Sequence, residues 1–182
     1  MSGESADLTG GASGIGRAVA EMLVKHKYVA VSHCQTSISA SVWLISHPRS
    51  IKVFIADREL DGAQKLVDEL NNHSNGQVAK CAHVDVASWN SQAKAFSQAV
   101  ADFGRIDHVY PIAGVGERAS IVNDPSQTGF EMPDLSVIDI DLTGVLYTVS
   151  LAVQQFRKQQ PGKNGFRGKS EFCDPRPFSQ YT

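Results

Sequence analysis

Thr9-Gly10-Gly11-Ala12-Ser13-Gly14-Ile15-Gly16-Arg17 reads as a turn built to hold a phosphate. Glycines at 10, 14 and 16 let the backbone turn tightly and approach a pyrophosphate with no Cβ in the way. They also open a helix whose first amides and dipole favour negative charge. Behind them Ile15, Val19, Met22 and Leu23 recur at helical spacing and give that helix an apolar face. A glycine-rich stretch alone is also what an ordinary turn looks like, so the features downstream carry the weight.

Three of them follow in order. Val53-Phe54-Ile55-Ala56 is a short apolar strand ending in Asp57, where a carboxylate can accept hydrogen bonds from ribose hydroxyls and would repel an added 2′-phosphate. Ala82-His83-Val84 leads to Asp85-Val86, a third strand tip, and Ile106 to Tyr110 leads to Ala113-Gly114, a fourth. Between them lie helical patterns: Leu60, Ala63, Leu66, Val67 and Leu70, then Trp89, Ala93, Phe96, Val100 and Phe103. Strands and helices alternating at this spacing imply right-handed crossovers and a parallel sheet, an α/β fold of the Rossmann-type doubly wound kind.

With these residues the chain resembles the short-chain dehydrogenase/reductase family from about Ala6 to about Lys169. The likeness rests on Thr9 to Gly16, Asp57, Asp85-Val86, Phe103-Gly104-Arg105-Ile106-Asp107, Ala113-Gly114 and the helix around Asp139 to Leu151. In texture it is most similar to NAD-dependent members like 15-hydroxyprostaglandin dehydrogenase. The resemblance implies an NAD-binding oxidoreductase passing hydride between nicotinamide and a secondary alcohol or ketone. It implies that the glycine turn (Thr9, Gly10, Ser13, Gly14, Ile15, Gly16) holds the pyrophosphate and that Asp57, with Arg58 beside it, meets the ribose. Asp85 and Val86 would lie against the adenine, and Ala113 and Gly114 would complete the cofactor contacts.

Composition agrees with one globular domain: 182 residues, 42% hydrophobic, formal net charge −2 and a pI near 6.3. Lysines and arginines are scattered, which argues against nucleic acid. No apolar stretch approaches a membrane span, and no signal-peptide pattern opens the chain. Cys34, Cys81 and Cys173 are odd in number and lack metal-ligand spacing, so the expectation is reduced thiols in the cytoplasm and no metal. His83, in a strand, is expected to be packed rather than a ligand.

Two departures from the family pattern stand out. Gly16 to Asp57 spans 41 positions (57 − 16), whereas the fingerprint places its acidic residue roughly 20 on. Removing residues 28–50 restores that spacing. This segment is serine-rich, has no Asp or Glu, and resembles a translated intron. As a surface loop it is tolerable, since lengthening a connection from about 4 to about 27 residues costs only about 1.7 kcal/mol. Its apolar Val42, Trp43, Leu44 and Ile45 would then need cover.

The second departure concerns chemistry. The family uses a tyrosine to exchange a proton with the substrate oxygen, a lysine four residues later to lower its pKa, and a serine about a dozen residues earlier. Tyr181 is followed only by Thr182, and Ser170 stands 11 positions (181 − 170) before it. From Ser170 the sequence, Ser-Glu-Phe-Cys-Asp-Pro-Arg-Pro, is unsuited to a central strand, as a shifted frame or aberrant splice after Lys169 would produce. Pro111 and Ile112 replace the two asparagines usual before Ala113-Gly114, and Asp141 stands where a catalytic-network asparagine is common. Asp7 falls inside the first strand, where a buried carboxylate would take up a proton.

The expectation is therefore an incomplete dinucleotide-binding domain over residues 1–169, with residues 28–50 an atypical insertion and 170–182 an atypical tail. Its fourth strand would be left as an unpaired edge, and no catalytic residue is assigned. The alternatives are a non-catalytic nucleotide-binding or interaction protein, or a mis-spliced product without function. A small-molecule substrate is the partner the family implies, and a second copy packing through the 134–159 helix is another.

Overall fold

The computed structural model describes residues 4–25, 28–31, 43–46, 51–74, 76–116, 126, 128–130, 132–162 and 165–171. Among the described residues, seven strands and four α-helices follow in order: β1 Ser5–Thr9, α1 Gly14–Lys25, β2 Tyr28–Val31, β3 Trp43–Ser46, β4 Lys52–Asp57, α2 Leu60–Asn72, β5 Ala79–His83, α3 Trp89–Phe103, β6 His108–Pro111, α4 Val145–Lys158 and β7 Lys169–Ser170. A π-helical stretch, Ile138–Gly144, leads into α4.

The main sheet has the order β5-β4-β1-β6-β7, and every pairing in it is parallel. Alternation along β4 explains its two-sided burial. Val53 and Ile55 join Leu8, Leu23, Leu66 and Leu70 in the layer made with α1 and α2, while Phe54 and Ala56 join Phe96, Ala99, Phe103, Val109 and Ala152 in the layer made with α3 and α4. A strand covered on both faces reads as an unbroken apolar run, and β4 does. Asp7 points into this covered sheet. It is buried, its Oδ1 has no partner among the described residues, and desolvation pushes its carboxyl up to about 7.

Ser170 belongs to the sheet, and the edge expected at the fourth strand of the sheet is paired. Lys169 N–H donates to the Asp107 carbonyl at 2.8 Å and Glu171 N–H to the Val109 carbonyl at 2.9 Å. The buried Gln159 side chain guides this return. It exchanges two 2.8 Å hydrogen bonds with the backbone of Ile106 and donates to the Arg167 carbonyl at 2.7 Å. The first prolines after β7 come at 175 and 177, too late to block a two-residue strand. Residues 172–182, with Cys173 and Tyr181, lie outside the described residues, as does Cys34.

Two strands lie within the 28–50 segment. β2 and β3 pair antiparallel, Tyr28 with Ser46 and Val31 with Trp43, as a separate two-stranded sheet. Aromatic and β-branched residues on both strands favour that pairing. His83 is a correction: it is exposed at the end of the edge strand β5, beside a cavity of about 510 Å³ that Gln64, Cys81 and Lys94 also line. Among the described residues no helix is long and apolar enough to cross a membrane, and no His/Cys/Asp/Glu cluster could hold a metal ion.

Candidate functional site

A cavity of about 320 Å³ opens at the carboxyl ends of β1, β4, β5 and β6, where an open α/β sheet reverses its strand order and binds its ligands. The glycine turn forms one wall. Gly10, at φ +70°, brings the tip of β1 so close to β6 that an added Cβ would lie 2.6 Å from the Ala113 Cα. Gly14 is the opposite case: its φ is +51°, and an added Cβ would meet nothing within 4 Å, only open space. The helix proper starts here, with Arg17 N–H donating to the Ser13 carbonyl at 3.1 Å, so the preceding first-turn amides have no intrahelical acceptor.

Asp57 ends β4. The in-register pairing of β1 with β4, Thr9 beside Ala56, carries it to the glycine turn despite the 41 intervening positions. Its Oδ2 accepts from Ala12 N–H at 2.8 Å and its Oδ1 from Glu59 N–H at 2.9 Å. A carboxylate oxygen accepts more than one hydrogen bond, so both retain capacity toward the cavity.

The β5 tip follows the same logic. Asp85 Oδ1 accepts from Ala87 N–H at 3.0 Å, bending the chain so that Asp85 and Val86 both line the cavity. Opposite, the π-helical stretch contributes Ile140, and Asp141 Oδ1 accepts from Val115 N–H at 2.9 Å. A carboxylate at 141 therefore holds the loop after β6, in which Gly114 and Val115 also line the cavity.

Of the twelve residues singled out from sequence, all but Thr9 line this one cavity. Thr9 stands behind it: its Oγ1 accepts from Ile112 N–H at 3.1 Å and fixes the strand tip where Pro111 and Ile112 replace asparagines. Ala56, Val84, Ile112, Val115 and Ile140 also line it and went unnoticed in the sequence. All but Ile140, which comes from the π-helical stretch, share one signal: a position at or just beyond a strand's carboxyl end.

Tyrosines placed for acid–base chemistry are not found among the described residues. Burial, with the Glu171 and Glu4 carboxylates adding to it, pushes the Tyr110 hydroxyl above the ordinary tyrosine range. Tyr147 packs edge-on against Trp89 at 5.4 Å between ring centroids. Burial, then the nearby Asp68, also raises the Cys81 thiol, which donates to Gln64 Oε1 at 3.4 Å.

A parallel sheet flanked by helices, with a glycine turn and an acidic β4 tip around its switch point, defines a Rossmann-type fold. Residues 46–163, more than half of the chain, match the family model described as short chain dehydrogenase, and the chain belongs to that family. The match begins after the glycine turn, within the last residues of the atypical segment. A cis-2,3-dihydrobiphenyl-2,3-diol dehydrogenase of Metapseudomonas furukawaii is 27% identical over 82% of this chain and 44% of its own length. In fold, the chain is similar to a short-chain type dehydrogenase/reductase from Mycobacterium ulcerans, with a TM-score of 0.64, 22% identity, and 94% of this chain and 51% of that one covered. A 3-ketoacyl-(acyl-carrier-protein) reductase from Brucella melitensis, complexed with NADH, gives a TM-score of 0.59 at 20% identity, over 86% of this chain and 51% of that one. The chain thus spans about half the length of these relatives.

Proposed function

We propose that the cavity binds NAD and that these 182 residues are the cofactor-holding part of a short-chain dehydrogenase/reductase-type oxidoreductase. The observation that carries this is Asp57: a carboxylate at the β4 tip, bonded to the glycine turn and lining the cavity. The site fits the group. Open space over Gly14 and the first-turn amides of α1 suit a pyrophosphate, Asp57 suits the adenosine ribose, and Asp85 and Val86 suit the adenine edge. Bound there, NAD would supply a hydride acceptor for a secondary alcohol, or NADH a donor for a ketone. The chain's own residues bind and orient it.

The chain as it stands is catalytically incomplete in this reading. The residues four positions after Tyr28, Tyr110 and Tyr147 are Ser32, Gly114 and Leu151, and none of them is a lysine. A purified sample should bind NAD saturably in a calorimeter and generate no NADH absorbance from a panel of secondary alcohols. Absence of saturable binding would overturn the reading.

The partner is a second copy of the chain. Leu135, Ile138, Leu142, Leu146 and Val153 are all exposed along the helical segment that runs from Leu135 through α4. Their steps of three, four, four and seven set an apolar stripe on one side, the pattern a helix presents to another helix. Scattered charge and an odd number of cysteines without metal-ligand spacing support a cytoplasmic location.

A further inference from the structure

We infer that Gln92 is a positioning residue that locks two walls of the cavity together; this rests on the nucleotide reading above. Gln92 sits in the first turn of α3, is 1% exposed, and touches no cavity space itself. Its Nε2 donates to the Val86 carbonyl at 2.6 Å and to the Gly144 carbonyl at 2.9 Å. Its Oε1 accepts from Thr148 Oγ1 at 2.7 Å, and the Gly144 carbonyl, 2.9 Å from the same hydroxyl, is the alternative acceptor for its single hydrogen; Thr148 is also 1% exposed. One amide thus joins the β5 tip to the junction between the π-helical stretch and α4.

The joined segments are in contact. A Cβ added to Gly144 would lie 3.1 Å from the Val86 carbonyl oxygen and 3.2 Å from Val86 Cγ2. Val86 lines one side of the cavity and Ile140, a turn before Gly144, the other. Asp141 ties the same stretch to Val115. The π-helical stretch, built on i to i−5 bonds, gives way to α4 at Gly144, and at this change of ladder the Gly144 carbonyl takes the Gln92 amide. Without the amide the buried Gly144 carbonyl and the part-buried Val86 carbonyl lose a donor, the walls part, and binding must first restore their order.

The test is NAD affinity by calorimetry for the wild-type chain and for Gln92→Met, Thr148→Val, Thr148→Ser and Gln92→Met/Thr148→Val, with amide hydrogen exchange on each without nucleotide. Gln92→Met keeps the length of the side chain and removes its hydrogen bonds; it should weaken NAD at least about fivefold. Exchange should quicken together at residues 85–88 and 138–144. Thr148→Val should weaken binding less, Thr148→Ser should restore wild-type affinity, and the double variant should be no worse than Gln92→Met, because both act through one network. Wild-type affinity in Gln92→Met, with only a lowered melting temperature, would overturn the role of Gln92. If Gln92→Met does not fold, unchanged affinity in Thr148→Val overturns it. A wild-type chain that binds no NAD overturns the nucleotide reading itself, and Gln92's role with it.

Discussion

The Asp57 carboxylate accepts a hydrogen bond from the Ala12 amide at 2.8 Å, joining the tip of β4 to a turn 45 residues earlier in the chain. This contact makes one surface from two sequence features that the 28–50 segment separates. It also fixes the orientation of the carboxylate, with Glu59 N–H holding the other oxygen. Both oxygens are anchored by protein amides, so a ligand meets a preset acceptor rather than a mobile side chain.

Gly14 gives the first prediction. With φ at +51° and open space at the Cβ position, Gly14→Val places a side chain over the cavity and costs about 1–2 kcal/mol in backbone strain. NAD binding should be lost while circular dichroism shows nearly unchanged helix. Retained affinity would mean that the glycine turn does not hold the ligand.

Asp7 gives a pH dependence. Its carboxyl ionises near 3.8 when unfolded and at about 7 when buried in the fold, because burial disfavours the charge. Between those values the folded chain holds a proton that the unfolded chain has released, so stability falls as pH rises from about 4 to about 7 and levels off above. The full loss is on the order of 4 kcal/mol. Asp7→Val should flatten this dependence and raise the melting temperature at pH 7.5. An Asp7→Val chain less stable than wild type at pH 7.5, with the same pH profile, would contradict it.

The apolar stripe gives a third. Leu146, 59% exposed, is at its middle. Leu146→Glu should convert a dimer seen by sedimentation velocity into monomer and improve solubility. A wild-type chain that is monomeric at high concentration would refute self-association through this helix.

A fourth concerns turnover. No tyrosine in these 182 residues has lysine four places on, so no secondary alcohol should be oxidised at any pH, with NAD bound or not. Oxidation that disappears in Tyr181→Phe would show that Tyr181 supplies the proton transfer after all.

Local chemistry made most of the site legible in the sequence. Gly10, Gly14, Asp57 and Asp85 announce themselves because only those residue types suit a tight turn or a polar strand tip. Asp7 was readable for the same reason: a carboxylate inside an apolar strand has few options. The pairing of β7 was hidden, because two residues need only backbone bonds and the guiding Gln159 side chain comes from the residue just after α4. The β2–β3 hairpin was hidden by the serines around it. Gln92 gave no sign, since a glutamine in a helix normally reads as surface, and only the fold brings Val86, Gly144 and Thr148 to it.

The most direct test compares NAD with NADP in the same calorimetric titration, on the wild-type chain and on Asp57→Ala. Like charges at a partly buried site are worth one to a few kcal/mol, so NAD should bind about tenfold or more tighter than NADP. Asp57→Ala should narrow that gap. Equal or tighter binding of NADP by the wild-type chain would contradict the account and would give the added phosphate to Arg58, which lines the cavity beside Asp57.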